Sequence, residues 1–266
     1  AKNSFNVIDG SHRASCAIYL KKTIPKVEVN VMNKNFGLEY FKNEGMREQD
    51  LDFICHRYVE INNNKTLNAI CLWPRSTEFF SSIEAEIREH FNILTSKVIE
   101  FNENGSHNFL SQIYSHDNWV GTYKNDYQGV ALKRNECFTN YKHPLRVYFV
   151  ESDHDLDFIT NFKNDLRLKF GSGKHLLHIT DDKNECLQIC ELILNSNSLF
   201  NLNNSYPTSS KAFQEEFHVF MKAISEQKIS KDNICIVGGA VLAAFGIRDS
   251  NDIDFITSIT IITKSV

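Results

Sequence analysis

One feature constrains the fold of this 266-residue chain more than any other: an alternation that begins at residue 67. Short apolar runs (Leu67–Trp73, Ile93–Phe101, Leu145–Val150, Leu176–Ile179) take turns with stretches whose apolar residues recur at helical spacing. The first pattern suits strands and the second suits amphipathic helices. Phe79, Phe80, Ile83, Ile87 and Phe91 form one helical stripe, with Ser76 or Thr77 as the expected cap. Leu156, Ile159, Phe162, Leu166 and Phe170 form another behind Ser152, and shorter helices are expected over Asn108–Tyr114 and Glu185–Leu194. Strands alternating with helices specify an α/β (α+β) fold, with helices laid on a sheet.

The flanks are organised differently. Residues 36–60 read as helical but poorly patterned, and Asn62-Asn63-Asn64-Lys65 reads as a linker. Residues 195–209, rich in Asn, Ser and Pro, read as a second linker. Beyond it Phe213, Phe217, Met221 and Ile224 mark a helix, and Ile234–Val237 a strand that runs into two glycines and an Ala-rich helix. At the start, Phe5–Ile8 and Val27, Val29 and Val31 read as strands around a helix from His12 to about Leu20 that Ser11 can cap. Four units are therefore expected, over residues 1–35, 36–66, 67–200 and 208–266.

Composition excludes several classes. Hydrophobic residues make up 42% and charged residues 23%, which argues against a disordered or collagen-like chain. A net charge of −4 carries no basic surplus of the kind that advertises nucleic-acid binding. The longest apolar run, Ile234–Ile247, is shorter than the ~20 residues a membrane-spanning helix needs. Seven cysteines, an odd number with no C-x-x-C pair, point to a reducing, cytoplasmic setting. The ligand spacing of zinc sites, the Walker loop and G-x-G-x-x-G are all absent from the sequence. The chain opens on Ala1, and a longer natural reading frame is expected.

Three segments carry chemistry. The first is Ile236-Val237-Gly238-Gly239-Ala240, followed by Gly246-Ile247-Arg248-Asp249-Ser250-Asn251-Asp252-Ile253-Asp254-Phe255. A strand turning through two glycines into a helix lets backbone N–H groups approach a phosphate. Asp252 and Asp254, placed on an expected strand, share one face and offer hard oxygen ligands to Mg²⁺. The segment resembles the polymerase-β-like nucleotidyltransferase superfamily, in which a hydrophobic residue, Gly-Gly or Gly-Ser and about a dozen residues lead to Asp-x-Asp. The resemblance implies that Asp252 and Asp254 are catalytic metal ligands. It also implies that Gly238 and Gly239 flank the phosphates of a nucleoside triphosphate, with Arg248 and Ser250 nearby. The family's third carboxylate, on a later strand, has no counterpart among the 12 residues after Asp254, none of which is acidic.

The second segment runs from Asp165-Leu166-Arg167-Leu168-Lys169-Phe170 to Gly173-Lys174-His175-Leu176-Leu177-His178-Ile179-Thr180-Asp181, with Glu185 beyond. A histidine on a short apolar strand can carry its imidazole into a pocket, an acidic residue in the next helix can orient it, and an arginine can fork onto phosphate. Together with Ile70-Cys71-Leu72-Trp73-Pro74 and Tyr114, this segment resembles nucleoside diphosphate kinase over about residues 67–200. The resemblance implies a ferredoxin-like βαββαβ sheet, His178 as the phosphate-accepting catalytic residue, and Arg167 and Tyr114 as nucleotide contacts. Trp73 stands where that family has a phosphate-binding lysine, and Arg75 is the candidate to supply the lost charge.

The third segment, Val7-Ile8-Asp9-Gly10-Ser11-His12-Arg13-Ala14, resembles the ParB/sulfiredoxin-like superfamily over residues 5–31. The resemblance implies a metal-site or catalytic carboxylate at Asp9 and phosphate contacts at His12 and Arg13. Lys133-Arg134 reads as a solvated basic face, and His116-Asp117 beside Trp119 carries no signal. All three resemblances concern phosphates. The expectation is a Mg²⁺-dependent nucleotidyl- or phosphoryl-transferase that uses a nucleoside triphosphate and an acceptor the residues do not identify. The alternatives are a non-catalytic nucleotide-binding scaffold and phosphotransfer through His178.

Overall fold

The computed structural model describes residues 11–23, 38–139, 143–250 and 252–258. The expected strands at 5–8 and 27–31, and Asp9, lie outside the described residues. The chain begins with α1 (Ser11–Tyr19), α2 (Leu38–Asn43) and α3 (Glu48–Ile61), and the Asn62–Lys65 linker then leads into β1 (Thr66–Leu72).

From there the alternation runs α4 (Phe80–His90), β2 (Asn92–Ile99), α5 (Glu103–Ile113), α6 (Gln128–Cys137), β3 (Leu145–Ser152), α7 (Leu156–Phe170), β4 (Leu177–Ile179) and α8 (Lys183–Ile193). The four strands form one sheet in the order β2-β3-β1-β4, every neighbouring pair antiparallel. β1 and β3 are central, and both are apolar on both faces, as strands covered on two sides must be.

Period-2 alternation divides the core. Leu67, Ala69, Cys71, Val147 and Phe149 face a cluster built with Cys55 and Val59 of α3, Phe109 of α5 and Cys186 and Ile189 of α8. Ile70, Leu72, Tyr148 and Val150 face a second cluster, with Ile83 and Ile87 of α4 and Ile159, Phe162 and Leu166 of α7. The fold is thus mixed α/β: helices lie on both faces of a four-stranded antiparallel sheet.

Several local expectations change. The chain enters α4 through a 3-10 turn at Pro74–Phe79, and neither expected cap performs that role. The Ser76 hydroxyl donates to the carbonyls of Trp73 and Leu176, and that of Thr77 to Pro74. α7 is capped by Asp155, whose carboxylate accepts from the Phe158 amide at 2.9 Å, and not by Ser152. Gly171 then ends it at φ 71°, a left-handed conformation that glycine adopts freely.

The second linker is largely a helix, α9 (Ser196–Asn204). Asparagine favours caps and turns because its amide competes with the backbone. Here that competition is put to use. Asn195 caps α9, Asn203 Oδ1 accepts from the Asn102 amide at 3.0 Å, and Asn108 donates to the Leu202 carbonyl at 2.9 Å. These bonds dock α9 on α5, so the central unit extends past residue 200.

The C-terminal part consists of α10 (Lys211–Glu226), β5 (Ile234–Ile236), α11 (Gly239–Ala244) and β6 (Phe255–Thr257), with β5 and β6 paired antiparallel. Its buried core is Phe213, Ala240 and Ala243. Asp252 and Asp254 sit just before β6, in the segment that enters the strand. Among the described residues, no helix is long and apolar enough to cross a membrane.

Candidate functional site

β4 creates the central site. Leu177 and Ile179 bury themselves against α7, so the alternation of the strand turns His178 to the opposite face, directly across from Cys71 of β1. There His178 lines a cavity of about 740 Å³ walled by the end of α5, by α6, by the last turns of α7 and by the start of α8. Arg167 and Tyr114 line the same cavity. Three residues read from separate parts of the sequence therefore meet in one place.

The imidazole of His178 lies edge-on to the Tyr114 ring, with centroids 5.2 Å apart. Tyr114 in turn packs against Trp119 at 5.1 Å, and Trp119 is exposed at the cavity mouth. The Lys133 ammonium stands 6.0 Å from the Tyr114 ring centre and donates to the Lys174 carbonyl at 2.8 Å. One Arg167 Nη donates to the Leu177 carbonyl at 3.3 Å, and its buried Nε has no hydrogen-bond partner.

The carboxylates of the cavity are all engaged. Asp181 pairs with Lys163 at 2.6 Å, and Glu185 accepts from the Asp181 amide at 2.8 Å. Glu136 pairs with Arg75 at 2.6 Å, and Asp117 accepts from the Trp119 indole at 2.9 Å. The acid expected to orient His178 is thus spent elsewhere, and so is Arg75, the expected substitute for the missing lysine. Trp73 is buried in the core against Phe138. Among the described residues, Lys133, Arg167 and Lys174 have no carboxylate within ion-pair distance.

Burial pushes the His178 pKa down to about 3, and Lys163, Lys133 and Arg167 add to the effect against Asp181. Its imidazole is neutral at pH 7 and keeps a lone pair for a nucleophilic or accepting role. Burial also lowers the pKa values of His175, Lys133 and Arg167, and raises those of Tyr114 and Glu185. Lys133 and Arg167 are half-buried cations with no carboxylate at ion-pair distance among the described residues, and an anion that enters between them would be held by both.

The C-terminal motif is also assembled in space. Gly238 sits at φ 65°, and a side chain there would meet Asp254 Oδ2 at 2.6 Å. One on Gly239 would meet Ser250 Oγ at 2.9 Å and an Arg248 nitrogen at 3.2 Å. Ser250 donates to the Asp252 carbonyl at 2.8 Å. Both aspartates are exposed. They offer two of the oxygen ligands a Mg²⁺ site needs. Among the described residues, no third His, Cys, Asp or Glu closes on them; the one group of three lies elsewhere, at Glu86, Glu89 and His90 of α4. The donor set is incomplete, and no step is assigned to a metal held there. His12 and Arg13 are exposed on α1 and line neither site.

A larger hollow, about 860 Å³, lies between α3, β2 and the α8–α9 junction. Its buried Lys97 is already neutralised by Asp52 at 2.6 Å and Glu48 at 2.5 Å, so it lacks the uncompensated charge of the central cavity. Sequence reasoning missed Lys133, Lys163 and Trp119. A basic pair and a lone tryptophan look like ordinary surface until the fold sets Lys133 and Trp119 on the wall of one cavity. No protein-family model matches the chain, and no curated protein matches it in sequence.

Proposed function

We propose that this protein binds a nucleoside triphosphate in the central cavity and transfers a phosphoryl group through His178. One observation carries the reading: His178, Arg167 and Tyr114 line a single cavity in which Arg167 and Lys133 have no carboxylate at ion-pair distance among the described residues. The sheet supports it. Strand order β2-β3-β1-β4, antiparallel throughout, with α4 leading from β1 to β2 and α7 from β3 to β4, fits a ferredoxin-like arrangement.

The chemistry is positioning plus charge. Arg167 holds the phosphates, and Trp119 at the mouth offers a flat apolar face to a base. The neutral imidazole nitrogen attacks the γ-phosphorus. The bond from that phosphorus to the β–γ bridging oxygen breaks, and the nucleoside diphosphate leaves with the electron pair. An acceptor oxygen then takes the phosphoryl group from nitrogen. Mg²⁺ arriving with the triphosphate would neutralise part of its charge.

Incubation with γ-³²P-ATP tests this. An acid-labile, base-stable label that disappears in His178→Ala is the expected result, and an unlabelled wild-type protein removes the transfer step. Binding of ATP without label would leave the nucleotide-binding scaffold. A second reading, nucleotidyl transfer at the C-terminal motif, is favoured by the approach of Asp254 to Gly238 and of Ser250 and Arg248 to Gly239. Transfer of an α-³²P label to an acceptor, lost in Asp252→Asn, would select it.

A further inference from the structure

We infer that Lys133 is the phosphate-gripping cation of the central cavity, an assignment that rests on the phosphate-binding reading above. Lys133 and Arg134 are neighbours on α6, but their surroundings diverge. Arg134 reaches Glu103 at 2.9 Å, whereas Lys133 is half-buried and lines the cavity beside Tyr114.

An ammonium has three donors. Lys133 directs one to the Lys174 carbonyl at 2.8 Å and one to the Cys137 thiol. Neither acceptor is an anion: the first is a backbone oxygen, and burial pushes the thiol up to about 12, which keeps it protonated. One donor remains for the cavity. Arg167, Lys174, His175 and His178 line the cavity with Lys133, and so do four carboxylates, each with another partner: Asp117 with the Trp119 indole, Glu136 with Arg75, Asp181 with Lys163 and Glu185 with the Asp181 amide.

The comparison with the other lysines is direct. Lys163 is neutralised by Asp181, Lys97 by two carboxylates, and Lys174 is exposed. Lys133 alone among these four is half-buried and lacks an acidic partner among the described residues. Burying an unpaired charge is costly, and a bound phosphate oxygen removes that cost with a short charge-assisted hydrogen bond. With Trp73 in the core and Arg75 tied to Glu136, α6 supplies the charge that β1 lacks.

The test is calorimetric titration of the whole chain with tripolyphosphate, metal-free, at pH 7. Lys133→Ala is expected to weaken binding about tenfold or more, the scale of one charged hydrogen bond. Lys133→Arg and Lys174→Ala are expected to stay within roughly threefold of wild type, since the first keeps the charge and the second removes an exposed one. Should Lys133→Ala fail to fold, Lys133→Gln keeps the stem and removes the charge. Wild-type affinity in the neutral variants overturns the inference, and so does a wild-type protein that ignores tripolyphosphate. Lys133-dependent binding in a protein that takes no label from ATP sustains the inference and removes the transfer reading. A label on His178 with tripolyphosphate affinity indifferent to Lys133 does the reverse.

Discussion

The central cavity and the C-terminal glycine–aspartate cluster are two differently built candidate settings for a phosphate. The cavity is built from half-buried cations around a neutral imidazole, with every carboxylate already paired or hydrogen-bonded. The C-terminal cluster is built from exposed acids against bare backbone, under a core of three buried residues. The first offers an anion two half-buried cations, Lys133 and Arg167, that have no carboxylate at ion-pair distance among the described residues. The second needs a cation between its carboxylates and any phosphate, and its donor set is incomplete among the described residues. The more familiar sequence motif thus sits in the weaker setting, because a motif specifies ligand atoms while the fold specifies their dielectric surroundings.

The largest expected difference between the regions is chemical. His178→Ala is expected to lose phosphoryl labelling by a factor above ~100, the scale of removing a nucleophile, while Asp252→Asn keeps it. Autoradiography of the two variants side by side reads this, and the opposite pattern would move the chemistry to the C-terminus.

Local stability is expected to differ next. β1 and β3 are buried on both faces, whereas β5 and β6 are a two-stranded ribbon of the kind that is marginal alone. Amides of β5 and β6 are expected to exchange roughly 100-fold faster or more than those of β1 and β3. Equal protection in a native-state exchange experiment would show the two regions to be one cooperative unit.

A pH effect comes third. The folded pKa of His178 lies near 3, below its ordinary value of 6.5. The unfolded chain therefore binds a proton that the folded site refuses. The stabilisation is complete above about pH 6.5 and is lost as pH falls from there toward 3, by at most ~1.4 kcal/mol per pH unit. Denaturant unfolding of wild type and His178→Gln from pH 7 to 4 should show the wild type losing stability more steeply. Parallel slopes would mean that water reaches the imidazole freely.

The smallest effect belongs to the exposed acids. Asp252→Asn and Asp254→Asn are expected to change stability by no more than about 0.5 kcal/mol, as for other surface substitutions. A larger drop in melting temperature would show that the pair braces the Gly238–Gly239 turn.

Much of the architecture was legible in the sequence. Ile70, Leu72, Val147 and Phe149 announce buried strands, and the stripes through Ile83 and Ile159 announce helices, because packing enforces period 2 and period 3.6. α9 was not legible, since Asn195, Asn203 and Asn204 look like loop residues until their amides find partners. Of the candidate site, His178, Arg167 and Tyr114 were readable. Lys133 was not, because its meaning lies in having no carboxylate at ion-pair distance among the described residues, and sequence spacing cannot display that. Capping residues were half readable: Ser76 had the right chemistry but found the Leu176 carbonyl instead.

If phosphates sit among the half-buried cations beside His178, nucleotide affinity depends on Arg167. The most direct measurement is ATP affinity in EDTA for wild type, Arg167→Ala and Asp252→Asn. Arg167→Ala is expected to lose about tenfold or more, as for a charged hydrogen bond, and Asp252→Asn is expected to bind like wild type. Binding that survives in Arg167→Ala, or that appears only with Mg²⁺ and vanishes in Asp252→Asn, would contradict it.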